Sequence, residues 1–202
     1  MSDSLRTSLA ACLGQFDRVP APLGGLKHAA VALAVAEDSE HGPCLLLTQR
    51  AALRAHSRQF ALPGGRCDPG ETAEDAARRE LAEELGLDLP ADSILGQLDD
   101  YPTRSGYVMT PVVLWAGRDP AIEPNPDEVH ALHRIPLSLL AREDIIEWLE
   151  GVDAARPIIR LHLLGLQVHA PTAAILHQFA EVALRGRNSR VTHIDQPQFA
   201  WR

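Results

Sequence analysis

The 202-residue sequence has few cysteines, no long apolar run and no excess of basic residues. Its three cysteines, Cys12, Cys44 and Cys67, are too few and too scattered for a disulfide framework or a zinc knuckle, and they fit a reducing cytoplasm. No stretch approaches the roughly 18 continuous apolar residues of a membrane helix, and the first residues lack the basic start and apolar run of a signal peptide. We therefore expect a cytoplasmic protein without a membrane span.

Acidic residues outnumber basic residues by 27 to 19, which gives a net charge of -8. A surface of this sign repels a polyanion, so we expect no nucleic-acid partner. A small phosphorylated substrate remains compatible, because a bound metal ion and a few arginines can reverse the sign locally. The hydrophobic share of 46% and the charged share of 23% are ordinary for a globular protein, and the length suits one well-buried domain.

The first part of the chain is predicted to form a helix, a linker and two strands. Ser4 is the predicted cap of a helix over residues 4–16, whose apolar stripe has four members: Leu5, Leu9, Leu13 and Phe16. Two prolines and two glycines make residues 19–25 a linker. Residues 29–36 and 44–49 are apolar and β-compatible, so we expect them to be neighbouring strands.

The second half is predicted to alternate between strands and helices. Strands are predicted at residues 94–101 and 107–115, followed by a proline-rich loop at 120–127. A short helix is predicted at 137–142, with its cap near Ser138 and a continuation at 145–149. A hairpin formed by 158–163 and 166–169 and a final helix at 172–184 complete the chain. The leucine-rich hairpin segment could also be helical. This mixed order favours an α/β sandwich over a helical bundle.

A dense pattern of charged residues and glycines occupies residues 65–87. Residues 72–85 lack Gly and Pro, are rich in Ala, Glu, Arg and Leu, and follow a Pro-Gly turn, so they predict a helix. Its buried stripe would consist of Ala77, Leu81 and Leu85.

Glu80, Glu83 and Glu84 fall at i, i+3 and i+4 of that helix and would share another face. Crowded carboxylates repel one another, and a divalent Mg²⁺ or Mn²⁺ ion cancels that repulsion while taking the hard oxygen ligands it prefers. Gly64 and Gly65 would let the incoming backbone pass close to this face. The alternative is a solvated acidic helix.

The spacing of Gly65, Glu71, the Arg79-Glu80 pair, the Glu83-Glu84 pair and Gly86 resembles the signature of the Nudix hydrolases, with no position departing. The resemblance implies a Nudix-type α/β/α sandwich with a mixed β-sheet, to which we add an N-terminal helix and a C-terminal helix. It divides the chain into an N-terminal helix and linker at residues 1–25 and a hydrolase domain with a helical extension at residues 26–202.

In function, the resemblance implies a metal-dependent diphosphatase with Glu80, Glu83 and Glu84 as metal ligands. Glu83, Glu84 and Arg79 become candidate catalytic residues, while Glu71 and Gly86 become structural parts of the signature. Glu128 lies in a loop that resembles the place where many family members keep an extra metal ligand or base. The alternative for Glu128 is a surface carboxylate.

The flanking sequence resembles the coenzyme A diphosphatase branch of that family. Residues 46–51 read Leu-Leu-Thr-Gln-Arg-Ala, and Pro-Gly-Gly follows at residues 63–65. Between them the chain departs from the branch pattern, because one residue is missing before Arg54, the family glycine falls on Arg58 and the family phenylalanine falls on Leu62. Further matches lie at residues 103–113, 124–129 and 135–137, and a last block is reduced to residues 172–173.

Arg50, Arg54 and Arg58 recur every four residues beside the signature. If this segment is helical, they form a positive stripe that, together with Gly64 and Gly65, could bind a substrate phosphate by forked hydrogen bonds. The alternative is a solvated basic face.

The predicted substrate is coenzyme A or an acyl derivative, with ADP-ribose, NADH or dinucleotides as alternatives. A non-catalytic module that binds nucleotide metabolites is an alternative of another class. The complete glutamate set favours the enzyme, because a sensor needs no catalytic carboxylates. The sequence is also compatible with a homodimer.

Overall fold

The computed structural model describes residues 2–51, 59–151, 153 and 155–197. In chain order the helices are α1 (Ser2–Gly14), α2 (Ala73–Leu85), α3 (Leu137–Leu140) and α4 (Thr172–Phe179), with a 3₁₀ turn at Ala91–Ser93 and a π-helical turn at Ala180–Leu184. The strands are β1 (Lys27–Asp38), β2 (Gly42–Arg50), β3 (Phe60–Ala61), β4 (Gly64–Arg66), β5 (Ile94–Gln97), β6 (Tyr101–Pro102), β7 (Tyr107–Arg118), β8 (Val129–Pro136), β9 (Ile146–Leu149), β10 (Ile158–Leu163) and β11 (Leu166–His169).

The main sheet is mixed and is centred on β1. Its path runs β3-β2-β1-β7-β5, while β4 also pairs with β1, β6 with β7 and β8 with β2. The β1 and β7 strands are parallel, whereas β2 and β4 pair antiparallel with β1. The predicted neighbouring strands at residues 29–36 and 44–49 are therefore confirmed, as is the strand predicted at 107–115.

The two faces of β1 carry side chains of different size. Ala30, Ala32 and Ala34 face the side covered by α2, whereas Leu33 and Val35 face the opposite side and its larger apolar core. Small side chains let α2 lie close to the sheet. The result is an α/β fold in which helices flank a mixed sheet, as predicted.

The larger core joins both ends of the chain. Leu9 and Leu13 of α1 are buried in the same cluster as Phe179 of α4, with Leu5 and Phe16 packed against it. Leu5, Leu9 and Leu13 thus form the predicted apolar stripe of the first helix, and Phe16 packs on the same core from beyond the helix end. Gly96 permits this approach, because a Cβ there would lie 2.9 Å from the Cβ of Leu13.

A second sheet of three antiparallel strands, in the order β11-β10-β9, packs onto this core. The hairpin predicted at residues 158–169 is confirmed, and Ile159, Leu161 and Leu163 point inward. The predicted helical continuation at residues 145–149 is wrong, because β9 pairs with β10 there. An apolar run this short fits either structure, and the available partner strand decides.

Two predicted helix caps and one predicted helix end are corrected by the structure. Helix α1 begins at Ser2 and ends at Gly14, so Ser4 lies inside the helix rather than at its cap and the helix stops before Phe16. Pro136 occupies the cap position of α3 without a side-chain hydrogen bond, so Ser138 is not the cap. The final helix predicted at residues 172–184 is confirmed, with its last five residues in π-helical form.

The strand predicted at residues 94–101 is interrupted at residues 98–100 by a buried polar cluster. Asp99 accepts hydrogen bonds from Val19 N (2.7 Å), Arg190 Nη1 (2.7 Å) and Gln178 Nε2 (2.8 Å). Asp100 accepts from Arg18 Nη2 (2.5 Å), Thr110 Oγ1 (2.7 Å) and Ala21 N (2.9 Å). We call these two aspartates the carboxylate hub. It fastens the predicted linker at residues 19–25 and the C-terminal segment to the sheet.

None of the helices in the described part of the chain is both long enough and apolar enough to cross a membrane.

Candidate active site

Helix α2 carries the acidic face, and its ends are well defined. Thr72 Oγ1 accepts a hydrogen bond from Asp75 N (3.1 Å), and Gly86 closes the helix with a left-handed φ of 69°. The predicted stripe of Ala77, Leu81 and Leu85 is fully buried against the sheet. This burial fixes the rotation of the helix and directs Glu80 and Glu84 toward β4.

Strand β4 passes between β1 and α2 with no space for a side chain. A Cβ on Gly64 would lie 2.3 Å from the Ala30 carbonyl oxygen, and a Cβ on Gly65 would lie 2.3 Å from Glu80 Oε1. The close backbone approach predicted for these glycines is therefore present. Gly64 N–H donates to Glu84 Oε1 at 3.2 Å, so the backbone of β4 contacts the acidic face directly.

The carboxylates of this face influence one another electrostatically. Burial raises the pKa of Glu84 to about 7, against the opposing effects of the Gly64 N–H and of Arg50, and Glu80 and Glu128 raise it further. Burial also raises the pKa of Glu80, to which Glu83 and Glu128 add. Neighbouring negative charges, that of Glu128 among them, thus add to the effect of burial in disfavouring the ionised forms of Glu80 and Glu84.

Arg79 connects the signature residues. Its Nε and Nη2 bind Glu71 Oε1 and Oε2 at 2.9 and 3.0 Å, which is a forked ion pair. Its Nη1 donates to Glu80 Oε1 at 2.7 Å and to Glu83 Oε2 at 3.3 Å, and Nη2 also donates to the Arg66 carbonyl. The hydrogen bonds from Arg79 lower the pKa of Glu71. Glu71 therefore holds the guanidinium that orients Glu80.

The loop at residues 120–127 brings Glu128 to this site. Glu123 N donates to the Leu85 carbonyl and Asn125 N to the Glu84 carbonyl, both at 2.9 Å, so the loop satisfies backbone acceptors at the end of α2. On the other side Ala51 N donates to the Glu128 carbonyl at 2.9 Å. The sequence pattern indicated a role for Glu128 but not the contact between Asn125 and α2, although the Pro-Asn-Pro run around Asn125 is typical of a constrained turn.

The acidic face has the donors that a divalent cation needs. Glu80, Glu83 and Glu84 supply hard oxygen ligands. Burial, with a smaller contribution from neighbouring carboxylates, raises the pKa of Glu80 and Glu84, and a bound cation would favour their charged forms. Among the described residues, no three His, Cys, Asp or Glu side chains already form a metal-binding group. Arg79 holds Glu80 and Glu83 instead, and the Glu83 side chain is 54% exposed and can turn. The residue types therefore fit Mg²⁺ or Mn²⁺.

Of the three predicted substrate arginines, the structure describes only Arg50, which is half-buried and close enough to Glu84 to lower its pKa. Arg54 and Arg58 lie outside the described residues. The predicted arginine stripe thus stays a prediction beyond Arg50.

Comparison with known proteins agrees with the fold described above. A family model for the NUDIX domain covers residues 26–155. An uncharacterized Nudix hydrolase NudL of Photorhabdus laumondii is 34% identical over 77% of this chain and 84% of its own length, and one of Yersinia enterocolitica is 37% identical over 61% and 63%.

A solved MutT/nudix family protein from Enterococcus faecalis superposes with a TM-score of 0.53 at 22% identity, over 80% of this chain and 61% of that protein. This likeness concerns the fold. The family model and the Photorhabdus relative each cover most of the chain. The chain therefore belongs to the Nudix hydrolases, enzymes that cleave phosphoric anhydride bonds.

Proposed function

We propose that this Nudix hydrolase is a metal-dependent pyrophosphohydrolase of a nucleoside diphosphate linked to another group, with coenzyme A or acyl-coenzyme A as substrate and 3',5'-ADP and 4'-phosphopantetheine as products. The observation that supports the chemistry best is the placement of Glu80 and Glu84 against β4, where a Cβ on Gly65 would lie 2.3 Å from Glu80 Oε1 and the Gly64 N–H donates to Glu84 Oε1 at 3.2 Å. Burial raises the pKa of both carboxyl groups, and the charge of Glu128 adds to this effect. A cluster of this kind suits a bound cation and its anionic substrate.

In the proposed mechanism, Glu80, Glu83 and Glu84 would hold the divalent ion, which when bound would supply Lewis-acid polarisation of phosphorus and a lowered pKa for the attacking water. Glu128 would serve as a general base or as a further ligand. Arg79 keeps Glu80 oriented through its forked pair with Glu71. Gly64 and Gly65 keep the β4 backbone close to the reacting groups.

The substrate assignment rests on the flanks of the signature. Residues 46–51 and 124–129 resemble the coenzyme A branch. Arg50, at the end of β2, is the described member of the predicted phosphate-binding stripe. The three cysteines are free thiols, which suits the reducing cytoplasm where coenzyme A is used.

The metal site is tested by Glu83→Gln and Glu84→Gln. Each should lower turnover with Mg²⁺ or Mn²⁺ by about a hundredfold, because the amide loses the charge that binds the ion while keeping its size. Glu74→Gln, on the first turn of the same helix, is the matched control and should keep the wild-type rate. Near wild-type turnover by both site variants would exclude these residues as ligands.

The substrate is tested by comparing kcat/KM for coenzyme A, dephospho-coenzyme A and ADP-ribose in the wild type and in Arg58→Gly. If an arginine binds the 3'-phosphate, dephospho-coenzyme A should be poorer by about 1 to 3 kcal/mol. If coenzyme A is inert with both forms while ADP-ribose or a dinucleotide is hydrolysed, the coenzyme A assignment is wrong and the diphosphatase stands. If no diphosphate is hydrolysed by the wild type, the non-catalytic module becomes the better account.

A further inference from the structure

The loop before β8 links two carboxylate-bearing residues of the site through one residue, Asn125. We infer that Asn125 is a positioning residue that holds Glu128 at a set place relative to Glu84. The inference rests on the proposed hydrolase function, in which both glutamates act. Asn125 itself is half-buried, and its hydrogen bonds with Glu84 and Glu128 are made to their backbone atoms.

The backbone of Asn125 makes the connection in both directions. Its N–H donates to the Glu84 carbonyl at 2.9 Å, and its own carbonyl accepts from Glu128 N at 3.0 Å and from Val129 N at 2.8 Å. The backbones of Glu84 and Glu128, which are far apart in the sequence, are therefore both hydrogen-bonded to the same residue, Asn125. A shift of Asn125 would move Glu128 against the helix that carries Glu84.

The side chain of Asn125 determines the shape of the turn. Its Oδ1 accepts a hydrogen bond from Asp127 N at 3.1 Å, which forms an Asx-turn. Pro126 has no N–H and restricts the backbone of Asn125 to extended conformations. The side-chain acceptor therefore adds a bond to Asp127 inside the turn that the Asn125 carbonyl closes with the Glu128 and Val129 amides.

Other contacts fix the ends of the loop and leave this turn as the adjustable part. Glu123 N is bound to the Leu85 carbonyl at one end, and Ala51 N binds the Glu128 carbonyl at the other. Val129 is buried and begins β8. Loss of the Asx-turn should hence displace residues 126 and 127 and reorient the Glu128 side chain that follows them, without unfolding the strand. A displacement of about 1 Å at a catalytic group can cost roughly a hundredfold in rate.

The test compares Asn125→Ala, Asn125→Asp, Glu128→Gln and the double variant Asn125→Ala/Glu128→Gln. We expect Asn125→Ala to lower kcat by about 10- to 100-fold with a much smaller change in KM, as loss of an outer positioning group does. Asn125→Asp keeps an Asx-turn acceptor and should recover to within about fivefold of wild type. In the Glu128→Gln background, Asn125→Ala should cost less than about threefold, because the two residues act through one position.

A second readout does not depend on turnover. Hydrogen exchange at the amides of residues 127–129 should be faster in Asn125→Ala than in the wild type and near normal in Asn125→Asp. Asn188, the other asparagine of the chain, is exposed, so Asn188→Ala is the matched control and should change neither readout.

Three outcomes would overturn the inference. They are additive losses in the double variant, an Asn125→Asp rate no better than that of Asn125→Ala, and a wild-type kcat for Glu128→Gln. A wild type that hydrolyses no diphosphate would overturn the proposed function instead. The exchange measurement still decides the positioning in that case, because equal exchange at residues 127–129 in all variants would contradict it.

Discussion

Arg79 is the residue on which most contacts of the signature converge. It binds Glu71 through a forked ion pair and also reaches Glu80, Glu83 and the Arg66 carbonyl. A planar guanidinium has five donors in a fixed arrangement, whereas an ammonium group is a point charge on a flexible stem. The site thus depends on the shape of this side chain as well as on its charge.

Arg79→Lys should consequently lower both turnover and metal affinity by about 10- to 100-fold, because Glu80 and Glu83 lose their orienting donors. Steady-state kinetics and a Mn²⁺ titration of the same samples measure the two effects. Arg78→Lys is the control on the same helix, since Arg78 binds Asp75 and the Leu89 carbonyl away from the acidic face. A change in KM alone would indicate that Arg79 contacts substrate instead.

Local spacing made part of this site predictable. The three glutamates of α2 share a face because of the helical period, and Arg79 directly precedes the first of them. Sequence alone did not say that Glu71 is the forked partner, because eight residues and the end of a helix separate them. The contact of Asn125 with Glu84 depends on where a remote loop returns, which no periodicity encodes.

At the scale of elements, β4 has close neighbours on two sides. Two glycines in succession face opposite neighbours, since Gly64 lies against the backbone of β1 and Gly65 against the Glu80 side chain of α2. The two positions therefore serve different purposes. One determines how closely two strands pack, and the other determines where a carboxylate lies.

Alanine at these two positions should separate stability from activity. Gly64→Ala should lower the free energy of unfolding by about 2 to 3 kcal/mol, because the new Cβ meets backbone that cannot move. Gly65→Ala should cost less than about 1 kcal/mol, since Glu80 can swing away, but turnover should fall roughly tenfold or more as that carboxylate moves. Urea denaturation and kinetics measure the pair, with Gly14→Ala as control in open space. Equal stability losses for both variants would contradict this division.

Helix α2 was predictable nearly to the residue because its caps, composition and stripe all agree. The elements that were mispredicted lack such agreement. Residues 145–149 form a strand because β10 offers a partner, and residues 98–100 interrupt a strand because Asp99 and Asp100 bind groups far along the chain. In both cases the deciding contact is tertiary, whereas the prediction used only local pattern.

At the scale of the whole molecule, the carboxylate hub connects distant segments. Asp99 is 1% exposed and receives donors from residues 19, 178 and 190. Its charge is compensated by Arg190, whose guanidinium also lies 4.5 Å from the centre of the Phe16 ring. The hub thus joins the linker, α4 and the C-terminal segment at one point of the sheet.

Asp99→Ala should lower the free energy of unfolding by about 3 kcal/mol, because buried donors lose their acceptor and Arg190 loses its counter-charge. Chemical denaturation followed by fluorescence measures this loss. Asp17→Ala removes an exposed carboxylate near the same arginine and should be almost neutral, since Arg190 binds only the Asp17 carbonyl there. A loss below about 1 kcal/mol for Asp99→Ala would mean that water replaces the missing partner.

The hub also bears on how the protein can be shortened for experiments. A fragment trimmed to residues 26–155, the stretch recognised by the family model, would keep the whole signature and Glu128. It would nevertheless lack Arg18, Gln178 and Arg190, and with them the partners of two buried carboxylates. The stretch that carries the signature is therefore shorter than the stretch that packs into one core, and truncation guided by family boundaries alone would remove part of that core.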